Sequence, residues 1–282
     1  MANVQPAVTV TVDNLKINLF NNKKYLDENG GVVSRKNHFI DFSESANGAF
    51  RILQFFERIT RAATEILDKL GSSMKGFFKG LAGKFTLAWT MLTIPRLPSV
   101  TRHMLASWKN LKEKEGPGTM PGAYCRKVLE SVDKSADATA MYLYAISLVS
   151  GSTAFKIAGD VPDLVHNVAG ATTGAQDHLK ASKILQSAVE AGADVRIQKG
   201  LKDTKKLTFF TTMKAVCSAV TTVFALSLLA LGGPLMPAIA MILVALAGTC
   251  FAGAAGVFEA GMQFKPIKFF DTKHVQVATA IA

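Results

Sequence analysis

The chain has 282 residues, a formal net charge of +11, 49% hydrophobic residues and three cysteines. That length holds one large or two modest domains, and an apolar share near the globular average excludes a polytopic transporter. Cys125, Cys217 and Cys250 have neither metal-ligand nor redox spacing, so a disulfide framework and a thiolate metal centre are excluded as well.

Residues 1–43 form a polar N-terminal segment. Met1–Phe20 lacks the basic start and continuous apolar core of a cleavable signal. Val8, Val10 and Val12 alternate with Thr9 and Thr11, the period of a short strand. The composition of this segment equally fits disorder, and both readings stay open. A helix is expected over Glu44–Leu70, because Ile52, Phe56, Ile59, Ala63, Ile66 and Leu70 recur at three- and four-residue steps and face a core. Asp41 or Ser43 supplies a cap oxygen, and Gly71 stands where helix ends are closed.

A second helix is expected over Met74–Leu92, ended by Pro95 and Pro98. On a wheel Met74, Phe78, Leu81, Phe85, Trp89 and Leu92 share a face, with Lys75 and Lys79 well away from it. Aromatics on one side and lysines on the other describe a helix lying in a membrane interface. Lys75, Phe78, Lys79, Phe85 and Trp89 are the expected lipid-surface contacts. Gly76, Gly80 and Gly83 each weaken an isolated helix by about 1 kcal/mol relative to Ala, so it forms only when docked. From Lys69 to Lys112 there are eight basic residues and no acidic one. Beside an apolar hairpin, such a run points to an anionic bilayer before an acidic protein partner, and not to nucleic acid. Residues 44–115 thus form a basic amphipathic region.

Gly and Pro at 116–123 mark a linker, and 124–214 reads as a further helical region. Within it, Arg126–Ser150 is helical, and the uncharged Ala138–Phe155 is a core helix or a marginal third membrane span. Asp160, Asp163 and His166 can meet on one face, but Pro162 points to a loop or helix start there, and a metal site is not expected. Asp177–Leu201 is helical, with Gly200 closing a turn. Lys199, Lys202, Lys205, Lys206 and Lys214 follow as a basic flank.

Ala215–Phe258 carries no charge over about 44 residues. Two apolar lobes, Ala215–Leu231 and Leu235–Phe258, flank Gly232, Gly233 and Pro234, which force a turn. Lysines lie before the first lobe and again at Lys265, Lys268 and Lys273 in the tail (259–282), so both chain ends are expected on one, cytosolic, side. Gly248, Ala252 and Gly256 form a small-residue stripe for hairpin packing or homo-oligomerisation. No P-loop, HExxH, nucleophile elbow or Rossmann fingerprint occurs, so neither an enzyme nor a cofactor is expected. The expected fold class is an all-α bundle with a C-terminal transmembrane helical hairpin.

The bilobed block Ala215–Phe258 with its Gly232-Gly233-Pro234 break resembles the inclusion membrane proteins of chlamydiae. That resemblance covers about a sixth of the chain and implies type III secretion, a pathogen vacuole membrane, and a host-facing effector that recruits proteins or lipids. The hairpin lies close to the carboxyl end here, whereas many members carry it near the amino end. The order of amphipathic helices and late apolar hairpin is also similar to pore-forming colicin domains, which implies a hairpin stored in a soluble bundle. Arg51–Arg102 more weakly resembles peroxisomal membrane-remodelling peroxins.

Overall fold

The computed structural model describes residues 9–10, 46–112, 122–190, 192, 195–231, 237–261 and 277–278. Its seven helices are α1 (Ala46–Lys69), α2 (Lys75–Met91), α3 (Thr93–Lys112), α4 (Ala123–Ser150), α5 (Thr153–Glu190), α6 (Val195–Leu231) and α7 (Ala238–Gly261). Thr9–Val10 (β1) pairs antiparallel with Val277–Ala278 (β2) inside the alternating segment. Asp41, Ser43, the linker at 116–121 and the turn residues Gly232, Gly233 and Pro234 lie outside the described residues.

The helices succeed one another in space as α2, α1, α7, α6, α5, α4, α3. The circuit closes because α2 runs into α3 through Leu92, and the start of α3 reaches α1, where the Arg96 guanidinium lies 4.4 Å from the centre of the Phe50 ring. Glycines make two of the corners. Gly71 adopts φ +66°, donates to the Asp68 carbonyl (3.1 Å) and lets Ser72 donate to Leu67 (2.9 Å), which satisfies the last carbonyls of α1. Gly151 (φ +68°) ends α4 in the same left-handed region. It also interrupts Ala138–Phe155, which is therefore divided between α4 and α5 and is not one continuous span.

The helices point their faces the unexpected way. In α1 the apolar stripe looks outward, with Phe56 45% exposed and Ile59, Ile66 and Leu70 also exposed, while Glu57 (1%) and Thr60 are buried. In α5, Ile157, Val161, Val165, Val168 (51%) and Leu179 (62%) line the outside at helical spacing, whereas Asn167 and Thr173 are buried. The expectation that the 44–70 stripe faces a core is thus corrected: small residues and polar groups fill the inside. Close approach explains part of this, since Ala140, Ala169 and Ala181 at the interhelical contacts leave no room for large side chains.

Other boundaries differ from the sequence expectations for local reasons. Pro95 and Pro98 belong to α3, Pro95 in its first turn where no backbone donor is needed. Pro162 sits inside α5 and does not start a helix. Asp177–Leu201 is split between α5 and α6 at Gly192 (φ +64°), and Gly200 lies within α6, buried, and closes no turn.

Among the described residues, two helices are long and apolar enough to cross a membrane, at Gln198–Ser227 (30 residues) and Ala238–Glu259 (22 residues). They pack against each other antiparallel, with Leu207 and Ala255 buried between them and the Phe210 and Phe258 rings 5.9 Å apart. A Cβ added at Gly248 would stand 2.9 Å from the Cys217 Cβ of the facing helix, whereas one at Gly253 would meet nothing. Gly248→Val is therefore expected to lower stability by about 1–3 kcal/mol through overpacking. Gly253→Ala is expected to leave stability unchanged or raise it by up to about 1 kcal/mol through helix propensity. Thermal unfolding of the two variants in the same detergent checks both directions.

Candidate functional site

The interior of the circuit is charged. On α4, Asp133 and Asp137 are four residues apart and share a face; on α5, Asp160, Asp163 and His166 recur at steps of three. The two helices lie side by side, so these faces meet. The Asp133 carboxylate approaches His166 Nδ1 to 2.7 Å and Lys134 Nζ to 2.6 Å. Tyr144 donates to Asp160 (2.8 Å), and Thr222 of α6 donates to Asp163 (3.3 Å), which also accepts from Asn167 (3.0 Å). Asp160, Asp163 and His166 do share one helix, but each is engaged by a different neighbour, and no cluster able to hold a metal is found among the described residues.

One end of this interior is tied by Arg126, which pairs with Asp177 (2.7 Å) and Glu130 (2.8 Å) and donates to the Thr173 carbonyl (2.6 Å). Arg51 of α1, Arg96 of α3 and Lys214 of α6 bring three further cations inward, within electrostatic reach of one another and of Asp137. Glu57 pairs with Arg58 (3.3 Å) and Arg61 beside them on α1. Lys214 therefore belongs to the interior and not to a solvated flank before the hairpin.

Burial governs how these groups ionise. It pushes the Asp163 and Asp160 carboxyls up, and it raises Asp177 despite the pull of Arg126. Asp133 is the exception: burial would raise it, but the His166 and Lys134 contacts hold it below the usual carboxylate range. Burial, then the neighbouring charge of Arg96, brings Arg51 down to about 10. The interior can thus bind ions and hold protons. Of the cysteines, Cys125 and Cys250 are exposed and Cys217 packs under Gly248.

The residues expected at a lipid surface fall elsewhere. Phe85 stacks on Phe56 (5.6 Å between centroids) and Trp89 meets Phe50 edge-on (5.5 Å), so this face of α2 packs on α1. Phe78 is half-buried, Lys75 pairs with Asp68, and Lys79 is exposed. The outward apolar stripe of α2 is instead Met74, Phe77, Leu87 and Met91, bordered by Lys84. Of the small-residue stripe on α7, Gly248 meets Cys217, Ala252 is buried and Gly256 is half-buried. Between α3 and α4 a groove of about 620 Å³, lined by Leu97, Thr101, Leu105 and Tyr142, carries no reactive group beyond the Arg102 and Lys109 charges.

The sequence reading missed Arg51, Arg96, Asp133, Asp137 and Lys214. Their signal was the polar face left over opposite each apolar stripe, which becomes a site only if the apolar stripes face outward. Comparisons with protein-family models, curated proteins and solved structures found no match.

Asp133 gives the interior a pH signature. A carboxylate whose folded-state pKa is depressed stabilises the fold above its unfolded value and loses that contribution as the pH falls through the folded one. Asp133→Asn should therefore cost about 2 kcal/mol near neutrality, the scale of a charge-assisted hydrogen bond. The difference from the parent should shrink towards pH 3. Melting curves from pH 7 downward read both effects.

Proposed function

We propose that this chain is a non-enzymatic, membrane-anchored interaction protein: α6 and α7 enter a bilayer as a hairpin, with α5 and α1 packed alongside them, and the anchored body recruits proteins or lipids. The observation that carries the reading is the openness of the hairpin. Of the 18 most apolar consecutive residues, only 11% in α6 and 28% in α7 are buried in the protein. A helix of this composition at the core of a water-soluble bundle would be mostly covered, because leaving apolar surface in water costs about 25 cal/mol per Å². Val216, Val223 and Leu243 instead stand on the outside of the two helices. The same openness weighs against a colicin-like store, in which the hairpin is sheathed by the other helices.

The charge pattern supports a topology. Lys199, Lys202, Lys205 and Lys206 precede the apolar part of α6 and Lys265, Lys268 and Lys273 follow α7, while the turn between the lobes is neutral. Both ends then remain on the side of synthesis or delivery. Outward apolar residues on α1 and α5, the helices that flank this hairpin, favour a body that lies against lipid.

The full chain is expected in the membrane pellet after alkaline carbonate extraction. Val216→Lys with Leu243→Lys should move a large fraction to the supernatant, since each lysine costs about 2.5–3.5 kcal/mol near the bilayer centre. Parent protein recovered in the soluble fraction would refute the anchor.

A further inference from the structure

Three cations crowd one place in the interior with too little negative charge to match them. Arg51 and Arg96 act on each other, and both act on Lys214. Lys134, also within reach, is already matched by Asp133 at 2.6 Å. The carboxylate that acts on Arg51, Arg96 and Lys214 alike is Asp137, with Asp163 reaching Arg51. Among the described residues, none of the three cations makes an ion pair. Arg51 spends one N–H on Gln54 (2.9 Å).

Two buried donors at the same place, Arg96 Nη1 and Trp89 Nε1, have no hydrogen-bond partner among the described residues. Both side chains rest on Phe50, itself 4% exposed, Arg96 over the ring face and Trp89 edge-on. The ring face offers Arg96 a cation–π contact, which leaves its Nη1 without an acceptor among the described residues. A buried donor without an acceptor costs about 1–3 kcal/mol, more when charged, and like charges brought together out of water add to that cost. Crowded cations and orphaned donors of this kind describe a cradle for an anion.

We propose that Arg51, Arg96 and Lys214, with the Trp89 indole N–H, form a binding site for a single phosphate group, supplied either by a lipid headgroup or by free phosphate. The chemistry favours phosphate over a halide, because two planar guanidinium forks and an indole N–H match several oxygens of one tetrahedral group. Burial lowers the pKa of Arg51 and Arg96, and a bound dianion would raise it again. The site draws on α1, α2, α3 and α6, so its occupancy would also tie the body to the hairpin. It does not depend on the hairpin crossing a bilayer, and the test runs in detergent.

The test is thermal unfolding and calorimetric titration of the purified full chain in a neutral detergent. Inorganic phosphate, dihexanoyl phosphatidic acid and dihexanoyl phosphatidylcholine are the probes, with sodium chloride at matched ionic strength as the blank. Saturable binding and a rise in melting temperature with inorganic phosphate support a free-phosphate source. Binding of phosphatidic acid but not of inorganic phosphate or phosphatidylcholine supports a headgroup source. Arg96→Gln and Lys214→Met should each weaken that binding at least tenfold. Their ligand-free forms should melt no lower than the parent, because the cation crowding is relieved. Exposed Lys84→Gln should bind as the parent does. The proposal is overturned if no phosphate probe differs from chloride, or if both interior variants, folded by circular dichroism, bind as tightly as the parent.

Discussion

The structure depends on where its charges are. A ring of helices that encloses Asp133, Asp137, Asp163, His166, Arg51, Arg96 and Lys214 cannot use an apolar core in the ordinary way, and many of its large apolar side chains are turned outward. What holds the interior is pairing across helices: α4 to α5 through Asp133 and His166, α4 to α5 again through Arg126 and Asp177, and α5 to α6 through Asp163 and Thr222. Each pair is worth little net, since desolvation offsets attraction, but breaking one leaves an uncompensated buried group. Such contacts fix which helix lies beside which more than they add stability.

Packing follows from the same constraint. With the large apolar residues outside, the helices approach through Ala and Gly. A Cβ at Gly159 would fall 2.7 Å from the Tyr144 ring, and one at Gly174 would stand 2.5 Å from the Thr212 hydroxyl. Small residues at these crossings bring backbones close without a hydrophobic driving force between helices, the mode expected where the surroundings are as apolar as the helix surface. The outward stripes of α1 and α5, the open sides of α6 and α7, and the charged interior are then parts of one arrangement.

Function enters through the interior as well as through the anchor. The hairpin is apolar enough to enter a membrane, whereas the cations around Phe50 stand where α1, α2 and α3 come together, within electrostatic reach of Lys214 on α6.

Much of the helical content was legible in the sequence because period and punctuation are local. The steps of Ile52 to Leu70, the stop at Gly71 and the uncharged run Ala215–Phe258 follow from backbone geometry and side-chain polarity alone. Pro95, Pro162 and Gly200 were misread as breaks because a helix tolerates proline in its first turn, and proline or glycine deeper inside when neighbouring helices hold the chain. The direction of each face was not legible. Periodicity says that Phe56 and Ile66 share a side of α1, but not whether that side meets water, lipid or protein. Only the tertiary structure decided that Glu57 lies inside and Phe56 outside, and that Phe85 and Trp89 pack on α1. The sequence by itself determined that the chain is helical and which two stretches are apolar enough for a bilayer. The assembly of Arg51, Arg96, Asp137 and Lys214 was decided by the fold, because these residues come from four helices and meet only once the circuit closes.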